Sequence, residues 1–230
     1  MAKRIFQRIA KVLGALLALL VLFILEENIR GRIELNAYKK ELRTKGEKLT
    51  LEELDLPKAP KEGNGAEAFL QAANELEQLK DTCPAVFSGI GSIHRGYVPG
   101  RKHVLTMEKE FLVFSKTNSW DDLSKEIKEA NPVLVKMREA LKQPSLAVDL
   151  NYEKAFEIPA PHLATLRAAA RSLWVAALND LHQKNLNGAL QNNEALAALI
   201  LFQKNERLII SQMVRIAVVA IALNTPWEIL

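Results

Sequence analysis

The sequence predicts an all-α protein: an N-terminal transmembrane helix and stalk leading into a helical bundle or an array of helical hairpins. Three observations predict it. Val12 to Leu25 is an unbroken apolar run behind a basic start. From residue 64 onward, apolar residues recur at spacings of three and four over long windows, the period of a helix with one covered face. Period-two alternation occurs once, in 146–152, with no second strand to pair with. Composition agrees. With 230 residues, 49% hydrophobic and 25% charged, the chain is neither disordered nor low-complexity. A lone cysteine, Cys83, excludes a fold stapled by internal disulfides.

The elements follow in order. Lys3, Arg4, Arg8 and Lys11 place four positive charges ahead of the apolar run with no acid among them. Helical, the run spans roughly 21 Å, against a hydrocarbon core of about 30 Å. Ile9 and Ala10 extend it if the Lys11 ammonium snorkels to the headgroups. Its exit, Phe23-Ile-Leu-Glu-Glu, lacks the small residues a signal peptidase requires, so an uncleaved signal anchor is expected. By the positive-inside rule the N-terminus is cytoplasmic. Glu26 to about Glu47 continues as a polar stalk striped by Ile29, Ile33, Ala37 and Leu42, with Gly46 as its stop. Thr50-Leu-Glu-Glu53 is a capping-box pattern inside a connector broken by Pro57, Pro60 and Gly63.

Asn64 is expected to cap a helix running to about Lys80, with Phe69, Leu70, Ala73 and Leu76 on one face. Residues 81–103, with Gly89, Gly91, Gly96 and Gly100, read as a long irregular loop of the functional or mobile kind. Ser119 caps the next helix. Leu123, Ile127, Ala130, Leu134, Met137 and Leu141 keep their phase across Pro132, which predicts one kinked helix. The alternating 146–152 segment is expected to lie extended against helices. Pro161 opens a helix with a broad apolar face through Leu181. A turn at Lys184–Gly188 leads to a second helix ending at Phe202. A third, from Arg207 to Leu223, is apolar nearly all round and is expected to be a buried core helix, in preference to a second span. Thr225-Pro-Trp-Glu228 reads as another helix start two residues from Leu230, so the sequence is expected to be truncated there.

The expected organisation is therefore a cytoplasmic basic tail (1–11), a signal anchor (12–25), a stalk and connector (26–63) and an extracytoplasmic helical domain (64–230). Pro161-His-Leu-Ala-Thr-Leu-Arg-Ala-Ala-Ala-Arg171 and Leu208-Ile-Ile-Ser-Gln-Met-Val-Arg-Ile-Ala217 resemble two blocks of a family of uncharacterised bacterial proteins. The resemblance implies a signal-anchored helical protein and brings no activity, cofactor or partner. Residues 163–203 are only weakly similar to a tetratricopeptide hairpin, and no second copy stands at a 34-residue period.

Charge and motifs narrow the function. Without the four N-terminal basic residues, 27 basic residues face 27 acidic ones, and no basic stripe with interleaved aromatics exists for nucleic acid. The histidines, His94, His103, His162 and His182, have no metal-ligand spacing, and no nucleophile elbow or phosphate loop occurs. No cofactor is expected, and enzymatic activity is not favoured. The most unusual polar residues are Arg167, Arg171 and Arg215: either a pocket for an anion, or structural charges, with Arg215 paired to Asp180, Glu194 or Glu206. The expected function is a membrane-anchored scaffold or interaction module of the cell envelope. Its partners are the bilayer through 12–25 and an envelope protein. The alternatives are an envelope enzyme or lipid- or anion-binding protein with a site near 81–103, and a polytopic protein using 207–223 as a second span.

Overall fold

The computed structural model describes residues 2–54, 56, 58–60, 62–88, 105, 119–202 and 204–229, and among them the secondary structure is all helical. Contacts group the chain into two units, Met1–Leu56 and Pro57–Leu230.

The first unit is dominated by α1 (Ala2–Thr44). No breaker interrupts 43 residues, giving a rod of about 65 Å. Its apolar part is uncovered: Leu17, Leu19 and Leu22 are each more than 60% exposed. Past residue 26 the surface is polar, with Arg30–Glu34 and Lys45–Glu41 ion pairs one turn apart. Gly46 stops the helix as expected. It takes φ +84°, and the amides of Gly46 and Glu47 return to the carbonyls of Arg43 and Leu42. The Thr50 turn forms too: Thr50 Oγ1 accepts from the Glu53 amide, while Glu53 accepts from the Leu49 amide at 2.7 Å and from Arg43 at 2.7 Å.

The second unit is a helical assembly around α5 (His162–His182), which packs against α6 (Leu186–Phe202), α7 (Ile209–Ala222) and α3 (Pro84–Ser88). α2 (Ala66–Gln78) and α4 (Trp120–Leu141) pair with each other and also reach α5, and α8 (Asn224–Ile229) closes on α5 and α7. Small residues explain the centrality of α5. Ala169, Ala170, Ala176 and Ala177 are buried beside Leu166, Leu173 and Trp174, so neighbouring backbones come close. Burying each large side chain of this kind contributes roughly 1.5–3 kcal/mol. The Leu123–Leu141 stripe of α4 is buried as predicted, and the helix runs unbroken through Pro132.

The α2 start differs in detail from expectation. Gly65 is the N-cap, because a Cβ there would overlap the Ala140 carbonyl oxygen. Asn64 accepts from the Ala66 amide and clasps Ala147 through both its amide and its carbonyl. That clasp holds the predicted extended segment, which makes a single parallel bridge, Asn64 with Ser145, and continues into a 3-10 turn at Tyr152–Glu157. Helix α6 starts inside the expected turn, since Lys184 takes the left-handed φ of 61° and Asn185 accepts from the Gly188 amide.

The reading of 207–223 as a buried core helix is corrected. Only Ser211 and Val218 of α7 are buried, while Ile209, Met213, Ile216 and Leu223 stand exposed. Apolarity on all sides says that one side is covered, not that every side is. The 81–103 loop is described only to Ser88. Residues 81–88 hold a turn and α3, whose first amides, Ala85 and Val86, bond Glu126 Oε2 of α4. Residues 89–103, with His94 and His103, lie outside the described residues.

Candidate functional site

The three arginines do not converge. Arg167 and Arg171 lie one turn apart on α5, Arg167 exposed and Arg171 half-buried. Among the described residues Arg171 has no hydrogen-bond or ion-pair partner, and its Nε is buried. Burial and the Arg167 charge both push its pKa down. Arg215, on α7, turns to α6. Its Nε donates to the Ile200 carbonyl at 3.1 Å and its Nη1 to Gln212 Oε1 at 3.4 Å. The acid expected within its reach is absent among the described residues. A carbonyl at the end of α6 serves instead, because the last carbonyls of a helix lack intrahelical donors.

Of the acids expected beside Arg215, Asp180 and Glu206 are engaged elsewhere, and Glu194 is exposed on α6. Asp180 accepts from Asn185 and Asn192, each at 2.9 Å, and Asn192 in turn accepts from Arg138 Nη1 at 2.9 Å, linking α4, α5 and α6. Burial raises the Asp180 pKa despite these donors. Gly188 permits the network, since a Cβ there would meet Asp180 and Asn185. Glu206 pairs with His162 at 3.1 Å, with both side chains almost fully buried. The imidazole stands at the α5 start, and its carboxylate partner comes from the α6–α7 joint, 44 residues on. The Glu206 carbonyl accepts from Gln212, and the next amide, Arg207, donates to Tyr152. Glu206 Oε2 has no partner and is shielded from solvent. The pair is therefore a latch closing the joint onto α5, not an open acid–base site.

Beside the latch lies a cavity of about 360 Å³ between the 144–148 segment and the end of α6, with Leu141, Leu146, Val148 and Phe202 in its walls and Tyr152, Lys204 and Glu206 contributing polar groups. At the opposite end of α5, His182 stacks on Trp120 with ring centroids 4.0 Å apart and planes 6° apart. Cys83 is buried against the Glu126 carbonyl, and burial pushes its thiol pKa up, away from a reactive thiolate. No three His, Cys, Asp or Glu side chains among the described residues are grouped to hold a metal.

In the second unit, α7 presents an exposed apolar face. Ile209, Met213, Ile216 and Leu223 follow one another at helical spacing, and Ile209 is 81% exposed. Among the described residues, Ile209–Glu228 is also the stretch long and apolar enough to cross a membrane by composition alone. Sequence periodicity found this helix but not its bare side. No protein-family model, curated protein or solved structure matches the chain.

Proposed function

We propose that the chain is a membrane-anchored helical scaffold or protein-interaction module of the cell envelope. Residues 12–25 hold it in the bilayer, its N-terminus is cytoplasmic, and its helical unit lies outside. The observation that carries the reading is the bare apolar run of α1. A soluble protein rarely leaves a contiguous surface of this kind to water, and here Leu13 to Leu25 shows one on a helix with no covering element. The run is short for a span, and snorkelling of Lys11 with slight bilayer thinning supplies the difference. The basic residues before it supply the orientation. Latches and polar networks inside the helical unit are structural, which favours binding over catalysis.

The test is extraction and topology of the full chain. It should stay with membranes in alkaline carbonate, keep Met1–Leu25 on N-terminal sequencing, and lose its helical unit to protease added outside spheroplasts. Release by carbonate, or an N-terminus after residue 25, would refute the anchor.

A further inference from the structure

We propose that the exposed face of α7 lies in the surface of an anionic bilayer, as an interfacial helix. This rests on the anchored reading above. The face is a stripe: Ile209, Met213, Ile216, Ala220 and Leu223 follow at 4-3-4-3 spacing and all are exposed. The opposite side is committed to protein, with Ser211 and Val218 buried and Val214 and Ile221 packed on the core. α7 is thus apolar on two sides, only one of which the described residues cover.

Charge selects the occupant. Between Lys204 and Trp227 the charged residues are Lys204, Arg207, Arg215 and Glu206. Glu206 is buried against His162, so the surface of this stretch carries basic groups and no exposed acid. Exposed Lys204 and Arg207 stand at the start of the apolar face, and basic groups beside an apolar helix face are the pattern that binds anionic lipid surfaces. A second copy of α7 fits less well. Paired helices set partner and register with opposite charges flanking the seam, and between Lys204 and Trp227 the helix supplies no exposed acid. A full span fits less well again. Gln212 and Arg215 sit mid-helix, and Arg215 is bonded to the Ile200 carbonyl; insertion would strip α7 from α5 and α6. A tethered domain, moreover, meets its own bilayer at a high effective concentration, whereas a second copy must be found by diffusion.

The experiment uses the full chain reconstituted into phosphatidylcholine–phosphatidylglycerol vesicles. Single-cysteine variants Leu19→Cys, Met213→Cys and Lys128→Cys, each with Cys83→Ala, carry an environment-sensitive fluorophore. Position 128 is exposed on α4, away from α7. Positions 19 and 213 should be quenched by nitroxide-labelled lipid and shielded from aqueous iodide, with the reverse at 128. Replacing the anionic lipid with phosphatidylcholine should weaken quenching at 213 and leave 19 unchanged. Ile216→Glu should weaken it likewise while the helical circular dichroism is kept, and a fluorophore at Ile216→Cys repeats the measurement should Met213→Cys fold poorly. Iodide access at 213 with lipid quenching at 19 would overturn the inference and leave the anchor standing; iodide access at 19 would overturn the anchored reading itself. Shielding at 213 without lipid quenching would mean a second copy or another protein on the face, and quenching strongest from the bilayer centre, indifferent to lipid charge, would mean a span. Either result overturns the proposal.

Discussion

At the scale of single residues, Arg171 is the side chain whose surroundings suit it least. Its Nε is buried without a partner among the described residues, and the charge that acts on it is the like charge of Arg167. Leaving a buried donor unsatisfied costs roughly 1–3 kcal/mol, and partial solvent access keeps the cost low in that range. Arg171→Met keeps the length and removes the charge. It should stabilise the detergent-solubilised chain by about 1 kcal/mol, or about 2–4 °C in the melting temperature of a domain this size. Phosphate should raise the melting temperature of the parent more than that of Arg171→Met if the arginine holds an anion. Equal melting temperatures without phosphate would show that the site has a compensation the contacts do not reveal. Sequence reading reached the residue and not its state. The i, i+4 spacing of Arg167 and Arg171 is plain in the chain, but the absence of an acid depends on which neighbours the fold delivers. Arg215 shows the same gap from the other side: an acid was expected, and the Ile200 carbonyl took its place.

At the scale of elements, the latch decides whether the α6–α7 joint stays closed. His162 opens α5, Glu206 ends the joint, and each is the other's partner across 44 residues. Removing one partner strands a buried polar or charged group, which costs on the order of 3 kcal/mol, whereas replacing both with apolar residues of similar size can be nearly neutral. His162→Leu and Glu206→Leu should therefore each lower stability strongly, and the double variant should lose clearly less than their sum. Additive losses in a double-mutant cycle of chemical melts would show that the two groups do not depend on each other. Periodicity located α2, α4, α5 and α6 because each repeats its apolar spacing over three turns or more. It passed over α3 and the Tyr152–Glu157 turn, which are too short to show a period; α3 leans on Glu126 of another helix. It misjudged α7 for a different reason. Hydropathy counts apolar residues and does not say how many of them find a neighbour.

At the scale of the whole molecule, the described core belongs to the second unit. Every residue of the buried core cluster falls between Ala66 and Val218, and the partly buried residues packed on it fall between Leu70 and Ala222. None comes from α1. The links that pin the start of the second unit, Gly65 to the Ser145 carbonyl and Asn64 to Ala147, also lie within it. A chain beginning at Pro57 therefore keeps all the apolar burial that opposes its conformational entropy. It should fold on its own and melt in one cooperative step within a few degrees of the full chain. The 1–56 piece should behave oppositely. Its helix has no tertiary packing among the described residues, so beyond intrinsic propensity only a hydrocarbon environment can hold its apolar third. Circular dichroism in buffer and then in detergent micelles should show little change for 57–230. For 1–56 it should show aggregation in buffer and a strong helical signal in micelles. A 57–230 fragment without a cooperative melt, while the full chain has one, would mean that α1 supports the fold and that anchor and domain cannot be treated as separable parts.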